Sequence, residues 1–252
     1  MKKVLIGFII PGILLIVWEV LARLGVFPPY WLPAPTSVVS AGLDMARQGD
    51  LAGNILITTE RVLAGFAIGA VAATVLGALT GYSQMCLRLM DPLLQSLRNI
   101  PSMAWVPLFL LWLGIQESSK ITLIAVGVFF PVYLNLMSGI QHIDQKLVEV
   151  GRVFRLSGFQ LTRRVILPAT LPAYITGLRS GLGLGWMFVV AAELMGSSKG
   201  IGFLMNDAEM TGRPGIVIVC ILLFAICGKL TDMLIELTGG YFLRWKKAGE
   251  QA

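Results

Sequence analysis

Apolar positions in this chain come in long unbroken runs. Residues 4–18 are apolar behind Lys2-Lys3, and the run continues past Glu19 through Val20, Leu21 and Ala22. Residues 62–87 carry no charge and are long enough to cross a bilayer with tilt. The next run, 92–114, follows Asp91 and is interrupted by Arg98, Asn99 and Pro101, a break that fits either a kink or part of a translocation path. Residues 121–141 form a fourth run, with Pro131 and Asn135 inside it. In the fifth, only the thirteen residues 180–192 are free of charge. At about 1.5 Å per residue that is too short to cross, so the span includes Arg179, Glu193 or both. The last run begins near Gly215 and takes in Lys229, Asp232 and Glu236; Lys229 and Asp232, three apart, can pair on one helix face. The pattern predicts an all-α membrane protein, one transmembrane domain over residues 1–252. About six spans are expected, at 4–23, 60–84, 92–114, 120–141, 174–196 and 214–238. Continuous runs argue against a barrel, whose strands alternate.

The polar interruptions are as informative. Residues 28–37 are too rich in proline for a helix interior, and Thr36 or Ser37 is placed to cap a short surface helix over 38–47. The longest interruption of the second half is 142–172. Leu147, Val150 and Phe154 recur there at helical spacing, while Glu149, Arg152 and Arg155 form a polar row. Ser157-Gly158 breaks the pattern, and a second short helix over 159–166 is expected to end before Pro168. On the residues alone, two readings stand: a basic amphipathic segment resting on anionic lipid, or one docked in a partner's groove.

Glycines mark close helix packing. Gly65/Gly69 and Gly77/Gly81 are spaced four apart, as are Gly177, Gly181 and Gly185. The second row suits packing against another helix, or against its own copy in a dimer.

Composition sharpens the class. The chain is 56% hydrophobic and 13% charged, against about 25% charged in soluble domains. Its net charge of +6 reads as basic loops fixing topology, with no call for nucleic acid. One side would hold Lys2, Lys3, Arg88, Lys146, Arg152, Arg155, Arg163, Arg164, Arg244, Lys246 and Lys247; the other only Arg47, Lys120, Lys199 and Arg213. The richer side, with both termini and segment 142–172, is therefore expected to be cytoplasmic. The first run resembles a signal peptide, but no A-x-A site follows, and an uncleaved span is expected. Cys86, Cys220 and Cys227 lie in or beside apolar runs and read as packing residues; with His142 the only histidine, a His-based metal site within one chain is excluded. No phosphate-binding loop is present, since residues 197–202 lack its spacing, and no cofactor is expected.

Several blocks in order, among them PVYLN at 131–135, Glu149 followed nineteen residues later by Pro168, GLRSGLGLGW at 177–186, AAEL at 191–194 and GKLTD at 228–232, resemble the permease subunits of bacterial ABC importers. The similarity is to the binding-protein-dependent inner-membrane family, in its aliphatic sulfonate, taurine and nitrate branch. It implies a type I importer permease fold with a cytoplasmic coupling helix between spans 4 and 5, in the bacterial inner membrane. It implies a second permease copy (a homodimer), two cytoplasmic ATPase subunits and an extracytoplasmic substrate-binding protein. The chain would be a non-catalytic subunit, with ATP hydrolysed by the partner. The cargo would be a small anion such as an alkanesulfonate or taurine; nitrate or a heterocyclic vitamin precursor is the alternative. An ATP-independent secondary transporter is the competing class, and it would call for coupling carboxylates deep in the spans and an internal repeat.

The resemblance also assigns roles. Leu147, Val150, Phe154 and Leu156 would anchor the ATPase, with Glu149, Gly151, Arg152, Arg155, Ser157, Gly158 and Pro168 completing the coupling element. The polar residues nearest span interiors, Arg98, Asn99, Asn135 and Glu193, are candidates for the translocation path. A carboxylate is an odd ligand for an anion, which favours a structural or gating role for Glu193; pairing with Lys229 is not expected, since the two lie at different depths. Arg155 stands where the family has a glycine, so the hinge is expected three residues on, at Gly158.

Overall fold

A computed structural model of the chain describes residues 9–243. Residues 4–8 of the first expected span, and Lys2, Lys3, Arg244, Lys246 and Lys247 of the charge count, lie outside the described residues. The fold is all helical: α1 Ile9–Arg23, α2 Pro35–Arg47, α3 Asp50–Tyr82, α4 Gln84–Arg98, α5 Ser102–Leu113, α6 Glu117–Gln141, α7 Gln145–Val153, α8 Gly158–Leu161, a π turn Thr162–Ile166, α9 Leu167–Gly196, α10 Ile201–Met210 and α11 Pro214–Phe242. Among the described residues, four stretches are long and apolar enough to cross a membrane: Leu51–Tyr82, Glu117–Gln141, Gly158–Gly196 and Pro214–Phe242.

The chain divides into two units, with breaks after Thr58, Gly196 and Ile226. In the smaller unit, Glu19 of α1 accepts hydrogen bonds from the Thr36 amide (3.1 Å) and hydroxyl (2.9 Å), tying α1 to the start of α2. Pro35 occupies the first turn of α2, where its missing N–H costs nothing. The first turns of α3 cap α10. The Gly200 amide donates to Asn54 Oδ1 at 2.6 Å, and the Ile201 amide to the Thr58 hydroxyl at 2.9 Å.

The larger unit is built around α6. Leu123, Ile124, Val128, Val132, Tyr133 and Leu136 of this helix are all buried. Two rows of glycine let neighbours approach it closely. On α3, a β-carbon at Gly65 would come within 2.6 Å of Ile124, one at Gly69 would overlap the Ala125 carbonyl, and one at Gly81 would meet Ile140. On α9, Gly177 faces Asn135 and Pro131, Gly181 faces Val132 and Val128, and Gly185 faces Val128 and Ile124. The α9 glycine row thus packs against α6 of the same chain, the first of the two uses expected for it.

Two expectations differ. Residues 92–114 are not one continuous helix. Ser83 caps α4, which runs through Pro92 to Arg98; the chain turns at Pro101, whose ψ of 141° is extended, and α5 follows as a separate twelve-residue helix. Nor does the helix after Gly158 end before Pro168. It runs on through the π turn into α9, thirty-nine residues without a break. A proline inside an α-helix clashes with the carbonyl four residues back. That carbonyl belongs to Arg164, inside the π turn, where the Leu167 amide reaches five residues back to Thr162. The widened turn accommodates Pro168 and keeps the helix going. Tyr82 at the end of α3 donates to the Thr162 hydroxyl at 3.1 Å and fixes that turn.

The glycine packing makes a contrast testable. Gly69→Ala should destabilise the protein by about 1–3 kcal/mol through a forced shift of α3. Gly183→Ala, where a β-carbon meets nothing within 4 Å, should leave stability unchanged or raise it slightly. Melting temperatures in detergent check both.

Candidate functional site

Segment 144–169 forms one structured unit. Asp144 caps α7 by accepting from the Lys146 amide at 2.9 Å. At the other end, the Arg155 amide donates to the Arg152 carbonyl (2.8 Å) and the Leu156 amide to the Gly151 carbonyl (3.2 Å). This pair of bonds is a Schellman cap, which needs a left-handed residue between its donors. Arg155 supplies it with φ of 52°, the one non-glycine residue with positive φ among the described residues. The bend therefore falls at Arg155 itself. The expected shift of the hinge to Gly158 is corrected: Gly158 is absent from the positive-φ glycines and opens α8. Ser157 and Gln160 cap α8 reciprocally, each side chain bonded to the other's amide.

The result is a groove of about 740 Å³ lined by Leu147, Val150, Gly151, Phe154, Leu156, Arg164, Val165, Pro168 and Ala169. Of the expected coupling residues, Leu147, Val150, Gly151, Phe154, Leu156 and Pro168 meet here. Gly151 is buried, because a β-carbon there would overlap Leu161. Glu149, Arg152, Arg155, Ser157 and Gly158 are exposed and do not line the groove. Phe154 and Val153 are 74% and 80% exposed, which is a large apolar surface to leave in water.

The four path candidates are not gathered into one site. Arg98 and Asn99 are exposed at the end of α4. Asn135 donates to the Pro131 carbonyl of its own helix at 2.8 Å. It faces Gly177, sixteen residues before Glu193 and so about 24 Å away along α9. Glu193 is fully buried and paired with Arg61 of α3, Nη1 to Oε1 at 2.6 Å. The other edge of the Arg61 guanidinium grips Glu117 of α6, with Nε and Nη2 at 2.6 and 2.7 Å from its two oxygens. Lys120 donates to Glu117 at 3.0 Å. Removing Arg61 or Glu193, the fully buried pair of this set, costs about 3–5 kcal/mol, because a buried charge is left without its counter-ion.

A second ionic set joins α9 to α11. Arg179 holds Asp232 bidentately, both bonds at 2.8 Å, and Glu236 at 2.9 Å. Lys229 is 3.7 Å from Asp232, so the pair visible three apart in the sequence is present but secondary to Arg179. Nearby, the Trp186 indole donates to Thr231 at 2.9 Å. Sequence reasoning missed Arg61, Glu117 and Lys120 as a unit. The available signal was that lone charges at the ends of apolar runs need partners of opposite sign from other runs.

A multi-helix membrane subunit with a grooved, basic helical segment between two long spans belongs to the class of ABC importer permeases. The model of the binding-protein-dependent transport system inner membrane component family matches residues 63–238, and the chain belongs to that family. It is 41% identical to the protein named SsuC, an aliphatic sulfonates transport permease, of Bacillus subtilis (strain 168), over 97% of this chain and 88% of that protein. With the protein of the same name from Escherichia coli (strain K12) identity is 39%, over 92% and 88%. Permeases named for taurine and nitrate also match. A chain of the inward-facing MetNI methionine ABC transporter shares the fold, with a TM-score of 0.62 at 15% identity over 76% of this chain and 97% of that one.

The Arg155 cap predicts a residue-specific effect. Arg155→Gly should leave the cap intact, whereas Arg155→Val should weaken it by about 1–2 kcal/mol, since a branched side chain resists the left-handed region. Hydrogen exchange of the amides of Arg155 and Leu156 reads this directly.

Proposed function

We propose that this chain is the permease through which small alkanesulfonates enter the cytoplasm, driven by a separate ATPase. The observation that carries the substrate class is the 41% and 39% identity, over nearly the whole chain, to two permeases named for aliphatic sulfonates. The groove at 147–169 supports the coupling role. It offers apolar walls and an exposed Phe154, the surface that an ATPase subunit would cover. Glu149, Arg152 and Arg155, exposed around it, would make charge-assisted bonds to that subunit. Two ATPase subunits, a second copy of this chain and an extracytoplasmic binding protein complete the assembly. Six spans with both termini and the groove in the cytoplasm fit the distribution of basic residues. With its carboxylate held by Arg61, Glu193 acts in structure or gating, not as an anion ligand.

Proteoliposomes containing this chain with its ATPase subunits and binding protein should take up radiolabelled butanesulfonate only with ATP. Taurine and nitrate should compete weakly. Uptake without any ATPase, or preference for nitrate, would overturn the corresponding part. Glu149→Lys should reduce co-purification of the ATPase by about tenfold or more, some 1.4 kcal/mol, while membrane insertion stays normal. An unchanged complex would mean that the segment rests on lipid.

A further inference from the structure

We propose that the outer edge of Arg61, with Lys120, is an oxyanion-binding site whose occupant in this structure is the chain's own Glu117. The inference rests on the alkanesulfonate reading, and names where the headgroup binds.

The four charges of this cluster differ sharply in burial. The side chains of Arg61, Lys120 and Glu193 are 5%, 6% and 0% exposed, whereas that of Glu117 is 57% exposed. The three buried groups alone carry a net charge of +1. Glu117 adds its negative charge to the set from the water side. Its two oxygens sit on Nε and Nη2 of Arg61 at 2.6 and 2.7 Å. That parallel fork fits two oxygens of a sulfonate as well as it fits a carboxylate.

Glu117 is placed to leave. It is the first residue of α6, preceded by Gln116 in extended conformation. Swung into solvent, it keeps a favourable position at the helix N-terminus and loses little hydration. Exchange of its carboxylate for an incoming anion conserves the charge of the site. Glu193, fully buried on Nη1, stays and holds the guanidinium in place. The cluster also lies at the opposite end of α6 from the groove at α7, at the end where the proposed function brings solute in.

The test uses the purified complex of permease and ATPase, carrying Glu117→Gln. Sodium ethanesulfonate at about 10 mM should raise its melting temperature by about 3 °C or more over sodium chloride of equal ionic strength. The unaltered complex, with Glu117 competing, should move much less. Adding Arg61→Lys to Glu117→Gln should abolish the sulfonate response, since lysine has no fork. If Glu117→Gln does not assemble, Glu117→Asp, with its shorter reach, should show a partial response. A variant indifferent to ethanesulfonate, or responding equally to chloride, would make the cluster a structural lock and overturn the site. Sulfonate uptake by the unaltered complex, measured alongside, separates the two readings: uptake without the melting response removes only this site, and absent uptake removes the substrate assignment.

Discussion

The close approach of α3 and α9 to α6 is the constraint on which the rest depends. In a membrane no hydrophobic force draws apolar helices together, so small residues and dense contact must do it. Gly65 on α3 and Gly185 on α9 both touch Ile124. One turn beyond that crossing sit Arg61 and Lys120, and about a turn further Glu117 of α6 and Glu193 of α9. A single guanidinium reaches carboxylates on two other helices only because those glycines bring the helices so near. Packing therefore sets the electrostatics. Without the glycine contacts the charges would be apart and buried without partners, the most costly arrangement available to them.

The same helix that closes the ionic cluster begins at the groove. From Gly158 to Gly196 the chain is one helical run, about 58 Å long at 1.5 Å per residue. Its one irregularity is the π turn, and that turn is braced by Tyr82 through Thr162. The Schellman cap at Arg155 folds α7 back so that Gly151 sits against Leu161 and both flank the start of the run. A push on the groove is a push on α9, with no flexible linker between them.

Much of this was legible in the sequence, and the limits are physical. The apolar runs and the amphipathic row around Leu147, Val150 and Phe154 follow from periodicity alone. The glycine rows were visible too, but a row says only that something approaches closely; whether it is a neighbouring span or a second copy depends on which way the face turns. Arg155 was visible as an oddity. Its left-handed φ was not, because steric preference for glycine at a helix end is a preference of about 1 kcal/mol that two backbone hydrogen bonds can override. The continuity through Pro168 was hidden for a similar reason: a single wide turn is invisible to a helical period. Arg61 with Glu193 was hidden most deeply, since the residues are 132 apart in the chain and no local pattern links them.

Both ionic sets meet on α9, and this bears on how an importer of this class moves. Glu193 ties α9 to α3 and α6 near one end, while Arg179 ties it to α11 through Asp232 and Glu236. Between them the glycine face of α9 is pressed on α6. Sliding α9 along α6 by one turn would pull Glu193 from Arg61 and Arg179 from Asp232 and Glu236 at once. Each step is unfavourable, and they cannot be taken separately. Conformational change on the proposed reading is then a swing of α3, α6 and α9 as one body, with rearrangement confined to surfaces that carry neither glycine contacts nor buried charge.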